Sequence, residues 1–171
     1  MSNTLQEQQA ADASRPMPIG WIVAVLLVIG AWMGAYALRG GGEKEVMAGW
    51  ADGMSAGQQL AQEADKPMVV LFTAGWCGPC QQLKKKVLAN SAVQDALQAD
   101  FIAVQIDLTD RSASNPNVET AQRYGVSGIP TVIAMTPEGE PIEKYLGGNS
   151  VTSFTGWLDR LSNQNASASL R

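Results

Sequence analysis

The sequence predicts an α/β domain, a central mixed β-sheet flanked by helices, preceded by a single transmembrane helix. Three observations carry this reading. From residue 46 onward, short apolar, β-branched runs alternate with helical patterns. The last two runs are joined by Pro137-Glu138-Gly139, a turn that sends the chain back as an antiparallel hairpin. Finally, no charge occurs between Arg15 and Arg39, where Ile, Val, Leu, Ala, Gly and Trp dominate residues 17–38.

Residues 1–16 are polar and lack apolar periodicity, so they are expected to form a disordered tail. The run 17–38 is long enough, at about 1.5 Å per helical residue, to cross a hydrocarbon core of about 30 Å. Trp21, Trp32 and Tyr36 near its ends suit the interfacial belts. The alternative is a cleavable signal peptide, since Ala35-Tyr36-Ala37 supplies a small-x-small site, but the run exceeds a typical signal core. Gly30 and Gly34 form a GxxxG pair that could bring two such helices together as a homodimer. Flanking charge decides orientation poorly and by itself slightly favours a cytoplasmic domain. Residues 39–45, glycine-rich and charged, read as a linker.

The folded domain is expected over 46–161. A short strand is placed before Trp50 and a helix from about Ser55 to Ala64, stopped by Lys66-Pro67. Met68–Thr73 (MVVLFT) reads as a central strand buried on both faces. Helices follow over about 79–88 and 92–97, the second capped by Ser91, and Phe101–Ile106 is the next strand. After a polar, exposed loop over 107–114, Asn115-Pro116 opens another helix and Gly125 supplies its left-handed terminator. Strands over 131–135 and 142–146 form the hairpin. The last helix runs from about Val151 to Leu161, with Phe154, Trp157, Leu158 and Leu161 on one face, and 162–171 is a polar tail expected to be disordered. Trp50, Phe154 and Trp157 are read as core.

Composition narrows the chemistry. The net charge of −4 lacks the basic field that gathers phosphate backbones, so nucleic acid is not an expected partner. The chain has no histidine, which removes Ser-His-Asp, Cys-His and HExxH catalysis. Its two cysteines lie three positions apart and cannot staple a distant loop. Four-coordinate structural zinc would need two further Cys or His, so no metal site is expected except one bridging two copies of the chain. No bound cofactor is expected.

Trp76-Cys77-Gly78-Pro79-Cys80 follows the central strand and opens a helix. The nucleophile of disulfide exchange is the thiolate, and the free N–H groups of a helix start lower a cysteine pKa from about 8.5 to about 7 or below. Cys77 is therefore the expected attacker, and Cys80, one turn on, the resolving thiol. Pro79 fixes a helical φ where its missing N–H costs nothing, and Gly78 is expected to leave the Cys77 sulfur accessible. Trp76 is either a substrate contact or packing. Lys84, Lys85 and Lys86 read as a solvated helix face.

WCGPC after an apolar strand, together with Gly128-Ile129-Pro130-Thr131 opening a later strand, resembles the thioredoxin family over about residues 46–161. The resemblance implies a thioredoxin-like fold, a cis bond before Pro130, and a substrate groove containing Ile129 and Pro130. It implies protein disulfide substrates, an upstream dithiol electron donor and, from the Gly-Pro dipeptide, a reducing poise near about −270 mV. Within the family, Asp65-Lys66-Pro67, the 81–95 stretch and the loop after Asp107 look most like the C-terminal domain of the thiol:disulfide interchange reductases. That likeness implies a single-pass inner-membrane protein with its domain in the periplasm, and it outweighs the charge count.

One position departs from the pattern. Where thioredoxins carry a buried aspartate six residues before the first cysteine, this chain has Leu71. Sluggish turnover that quickens with pH is the expectation. The rival reading is a client-binding or redox-sensing module, or a disulfide donor, in which the cysteines do not turn over as a reductase.

Overall fold

The computed structural model describes residues 47–169, together with Gly20 and Val25, which are both helical. Two units divide the chain, residues 1–42 and 43–171. The expected tail 1–16, membrane span 17–38, Gly30/Gly34 face and linker 39–45 lie outside the described residues, those two helical residues excepted. Among the described residues no helix is long and apolar enough to cross a membrane.

The second unit runs β1 (Ala51–Asp52), α1 (Met54–Ala64), β2 (Met68–Thr73), α2 (Gly78–Leu83), a π-helical segment (Lys84–Leu88) and α3 (Ser91–Asp100). It continues with β3 (Ile102–Asp107), α4 (Pro116–Arg123), β4 (Thr131–Met135), β5 (Pro141–Lys144) and α5 (Val151–Ser169). The sheet order is β1-β3-β2-β4-β5. β3 pairs in parallel with β1 and β2, while β4 pairs antiparallel with β2 and β5, the mixed arrangement the turn sequence predicts.

β2 is the centre of this sheet, and all six of its residues are buried. Because side chains alternate along a strand, Met68, Val70 and Phe72 face one core with Val104, Ile106, Ala61 and Ala121. Val69 and Leu71 face the other, among Leu83, Val87, Leu97, Phe154, Trp157 and Leu161. Helices α1 and α4 cover the first face, and α2, α3 and α5 the second. Tyr145, Phe154 and Trp157 close the second core as an aromatic triad, with ring centroids 4.8, 5.3 and 5.5 Å apart.

Several sequence expectations shift. The short strand follows Trp50 instead of preceding it. The cap of α3 is Asn90, whose side chain accepts the Ala92 N–H at 3.0 Å, so Ser91 is already the first helical residue. That helix reaches Asp100, three residues beyond the expected end, and Lys66 Nζ donates to its terminal carbonyls at Ala99 (2.6 Å) and Gln98 (3.4 Å). β5 ends at Lys144, not Leu146. The last helix does not stop near Leu161: it continues to Ser169, so 162–169 is helix and not tail. The apolar stripe marked where the helix meets the core, not where its hydrogen bonds stop.

The glycine in α1 reflects close packing. A Cβ on Gly57 would overlap the Val104 side chain, so α1 lies against β3 at a distance only glycine permits. Gly57→Ala is expected to destabilise the domain by about 1–3 kcal/mol. Urea unfolding should show a lower midpoint at unchanged slope.

Candidate functional site

The site is built at the carboxyl end of β2. Thr73 and Ala74 are buried, the chain surfaces at Gly75 and Trp76, and Cys77 re-enters as the cap of α2. Cys77 has extended backbone angles (φ −85°, ψ 102°), and the Cys80 N–H points at its Sγ at 3.2 Å. Pro79 sits in the first turn of α2, as the motif predicts. The two sulfurs are bonded in a disulfide, with the Cα atoms 5.3 Å apart. Among the described residues no cluster of His, Cys, Asp and Glu could hold a metal ion.

The Ile129–Pro130 peptide bond is cis. It places the Ile129 carbonyl oxygen 3.7 Å from Cys77 Sγ, so the loop before β4 and the start of α2 form two walls of one cleft. Ala74, Cys77 and Cys80 pack together, with Leu108 and Ile129 against them. The Thr131 hydroxyl donates to Gly128 O at 2.6 Å, tying the far side of this loop. Cys77, Cys80 and Ile129 therefore meet, with Trp76, Gly78 and Pro79 adjoining them along the chain on one side and Pro130 on the other.

Accessibility is lower than the motif suggests. Cys77 is 4 % exposed and Cys80 1 %. Gly78 leaves open space beside its Cα, yet Ile129 and Leu108 pack against the cysteine pair. Of the three lysines, Lys84 is not solvated: it is 4 % exposed, whereas Lys85 and Lys86 are exposed. The cause is helical spacing: Leu83, Lys84, Val87 and Leu88 follow Cys80 by three, four, seven and eight residues and share its buried face, and Lys84 N–H bonds Cys80 O as the π-helical segment begins.

The loop after β3 contributes what sequence reasoning missed. Thr109 Oγ1 accepts the Gly75 N–H at 2.7 Å, and Thr109 O accepts the Trp76 indole N–H at 3.2 Å. The Arg111 guanidinium lies 3.7 Å from the centre of the Trp76 ring. The loop is ordered by its own carboxylates. Asp107 accepts the Thr109 N–H and hydroxyl, at 2.8 and 2.5 Å, and Asp110 accepts the Ser112 N–H and hydroxyl, at 2.8 and 2.9 Å. The Ser112 N–H, then its hydroxyl, hold the Asp110 carboxyl below the usual carboxylate range. The alternation of Asp with Thr or Ser two residues on was the available signal, since such pairs make Asx turns.

A cysteine pair at a strand-to-helix junction, faced by a cis-proline loop, defines the site of a thiol–disulfide oxidoreductase. The profile of the thioredoxin-like domain family matches residues 54–162, and the chain belongs to that family. It is similar to a thiol:disulfide interchange protein DsbD of Vibrio vulnificus, 30 % identical over 106 residues, which are 61 % of this chain and 17 % of that protein. It is also similar to a thioredoxin of Alicyclobacillus acidocaldarius, 33 % identical over 89 residues, 52 % of this chain and 75 % of that one. Among solved structures, the oxidised C-terminal domain of Neisseria meningitidis DsbD superposes with a TM-score of 0.53 at 27 % identity, covering 62 % of this chain and 90 % of that domain. The chain thus spans only a small part of the DsbD proteins and nearly all of their C-terminal domain. It is a thioredoxin-like disulfide oxidoreductase related to that domain.

Proposed function

We propose that the chain is a membrane-anchored protein-disulfide reductase whose domain works in the periplasm on extracytoplasmic proteins. The observation that carries the redox reading is the Cys77 sulfur at the start of α2, met by the Cys80 N–H at 3.2 Å and by the Ile129 carbonyl across the cleft. In the reduced state the Cys77 thiolate attacks a substrate disulfide, forming a mixed disulfide and releasing one substrate thiolate. Cys80 then attacks Cys77 Sγ and displaces the second substrate sulfur. Two electrons and two protons pass to the substrate, and the protein is left as the disulfide seen here. An upstream dithiol reverses the sequence. The Ile129 backbone beside the cleft lies where an extended substrate peptide would pair, and Pro130 shapes that wall.

Anchoring is supported by the uncharged run 17–38. The periplasmic placement is supported by the likeness to the DsbD C-terminal domain. Insulin reduction by the detergent-solubilised chain tests the reading, because a binding module would show no catalysis with excess reductant. Redox titration against glutathione tests direction: a potential above about −150 mV would make the protein a disulfide donor.

The pH profile is a further expectation. Cys80 is 1 % exposed, and Leu71 stands where the family places its acid, so the resolving thiol gives up its proton reluctantly. Turnover is expected to rise at least fivefold between about pH 6 and 9, because the thiolate is the reactive form. A flat stopped-flow profile over that range would contradict it.

A further inference from the structure

Beside the cysteines, a cavity of about 280 Å³ is lined by Trp76, Arg111, Val118, Val126, Gly128 and Ile129, among others. Its wall is mostly apolar, with Gln122 and Ser127 as neutral polar groups and Arg111 as its one charge. We propose that Arg111, stacked on Trp76, makes this cavity a subsite for an acidic side chain two residues from the reactive cysteine of a protein substrate. The inference rests on the reductase reading and adds to it the chemistry of the preferred substrate.

The platform is fixed. Trp76 is 51 % exposed, yet its indole N–H is held by Thr109 O at 3.2 Å, and Thr109 is itself bonded to Gly75. A guanidinium lying on an aromatic face keeps its N–H groups pointing outward in its own plane, where they suit a carboxylate. None of the neighbouring acids forms a direct ion pair with Arg111. Asp107 and Asp110 accept from Thr109 and Ser112, and Glu119 pairs with Arg123 at 3.0 Å. Among the described residues, Arg111 makes no ion pair.

The position is also right for a flanking residue. A peptide whose cysteine meets Cys77 Sγ passes the Ile129 carbonyl, 3.7 Å from that sulfur. The side chain two residues on, about 6.6 Å along an extended strand and on the same face as the cysteine, reaches the cavity that Ile129 shares with Arg111. Asp107 and Asp110 remain charged and weaken the distant field, so selection comes from direct contact with the guanidinium and not from general attraction.

The test uses the full reduced chain in detergent and three disulfide-linked peptides that differ only in Glu, Gln or Lys two residues from the cysteine. Each stopped-flow oxidation rate is divided by that peptide's rate with dithiothreitol, which removes the effect of the charge on the disulfide itself. The Glu peptide is expected to exceed the Lys peptide about fivefold at low salt, with the ratio falling toward one in about 1 M salt. Arg111→Glu should invert the ratio, an outcome that loss of loop packing would not produce. A ratio of one in the wild-type chain, or the same ratio in Arg111→Glu, overturns the proposal while leaving the reductase reading intact. Failure to reduce any of the three peptides overturns both.

Discussion

Replacing Cys77 with serine is expected to lower insulin reduction at least a thousandfold, and replacing Cys80 with alanine to halt it one step later. A hydroxyl at residue 77 is not ionised by the single N–H contact that the sulfur receives at 3.2 Å, and oxygen forms no mixed disulfide. With Cys80→Ala the first attack proceeds and the release does not. The product is a covalent adduct that migrates slowly on a non-reducing gel and disappears with dithiothreitol. Alanine is the better choice at a residue 1 % exposed, where a hydroxyl would be buried without its own partner.

Loss of structure would not account for these effects. The disulfide joins residues three apart, so closing so short a loop contributes about 2 kcal/mol by chain entropy. The two apolar cores on either side of β2 do not depend on it. Both variants should therefore melt cooperatively, close to the reduced wild-type chain. An active Cys77→Ser protein would end the assignment of Cys77 as nucleophile. A Cys80→Ala protein that releases substrate at the wild-type rate would end that of Cys80 as resolving thiol.

The parts of this architecture that sequence made legible are those where one local rule decides. MVVLFT is apolar at five of its six positions and β-branched at the sixth, the pattern of a strand covered on both faces, so β2 was readable to the residue. Asn115-Pro116 marks the start of α4 because cap and first-turn proline agree, and Gly125 adopts the left-handed φ of 61° expected after it. The cysteine pair and the Ile129–Pro130 loop could be placed in one site only through the family resemblance, since 48 residues of chain separate Cys80 from Ile129.

What sequence did not carry depends on long-range contact. Lys84 lies in a basic triplet whose charge reads as solvated, and although it shares a helix face with Leu83, Val87 and Leu88, it is the packing of that face on the core that shows the lysine buried with it. Arg111 is one cation in a polar loop. Its stacking on Trp76 requires β3 and β2 to be adjacent and parallel, with Asp107 level with Thr73, so that the two following loops meet. The helical 162–169 stretch has too few apolar residues for its pattern to mark it as helix, since beyond Leu161 it no longer packs on the core.

Leu71→Asp, which restores the acid of the family pattern, is expected to destabilise the domain and to quicken resolution together. Leu71 is fully buried opposite Val132, and Leu83, one turn beyond Cys80, belongs to the same apolar cluster. Losing the leucine and burying a carboxyl there should cost about 3–5 kcal/mol. Desolvation holds the folded-state pKa of such an aspartate above its unfolded value near about 3.9. The folded chain then binds the proton more tightly than the unfolded one. The penalty is smallest below about pH 4, where both states are protonated, and grows as pH rises through the folded pKa. Urea titrations at pH 4.5 and 8 should show the gap to wild type widening at the higher pH. Over the same range the acid can take the Cys80 proton, so the mixed disulfide trapped by acid quench should shorten in lifetime about tenfold or more at pH 7. An unchanged lifetime in a variant shown to be folded would mean that the leucine does not limit resolution, and that the slow step lies in substrate docking at the cleft.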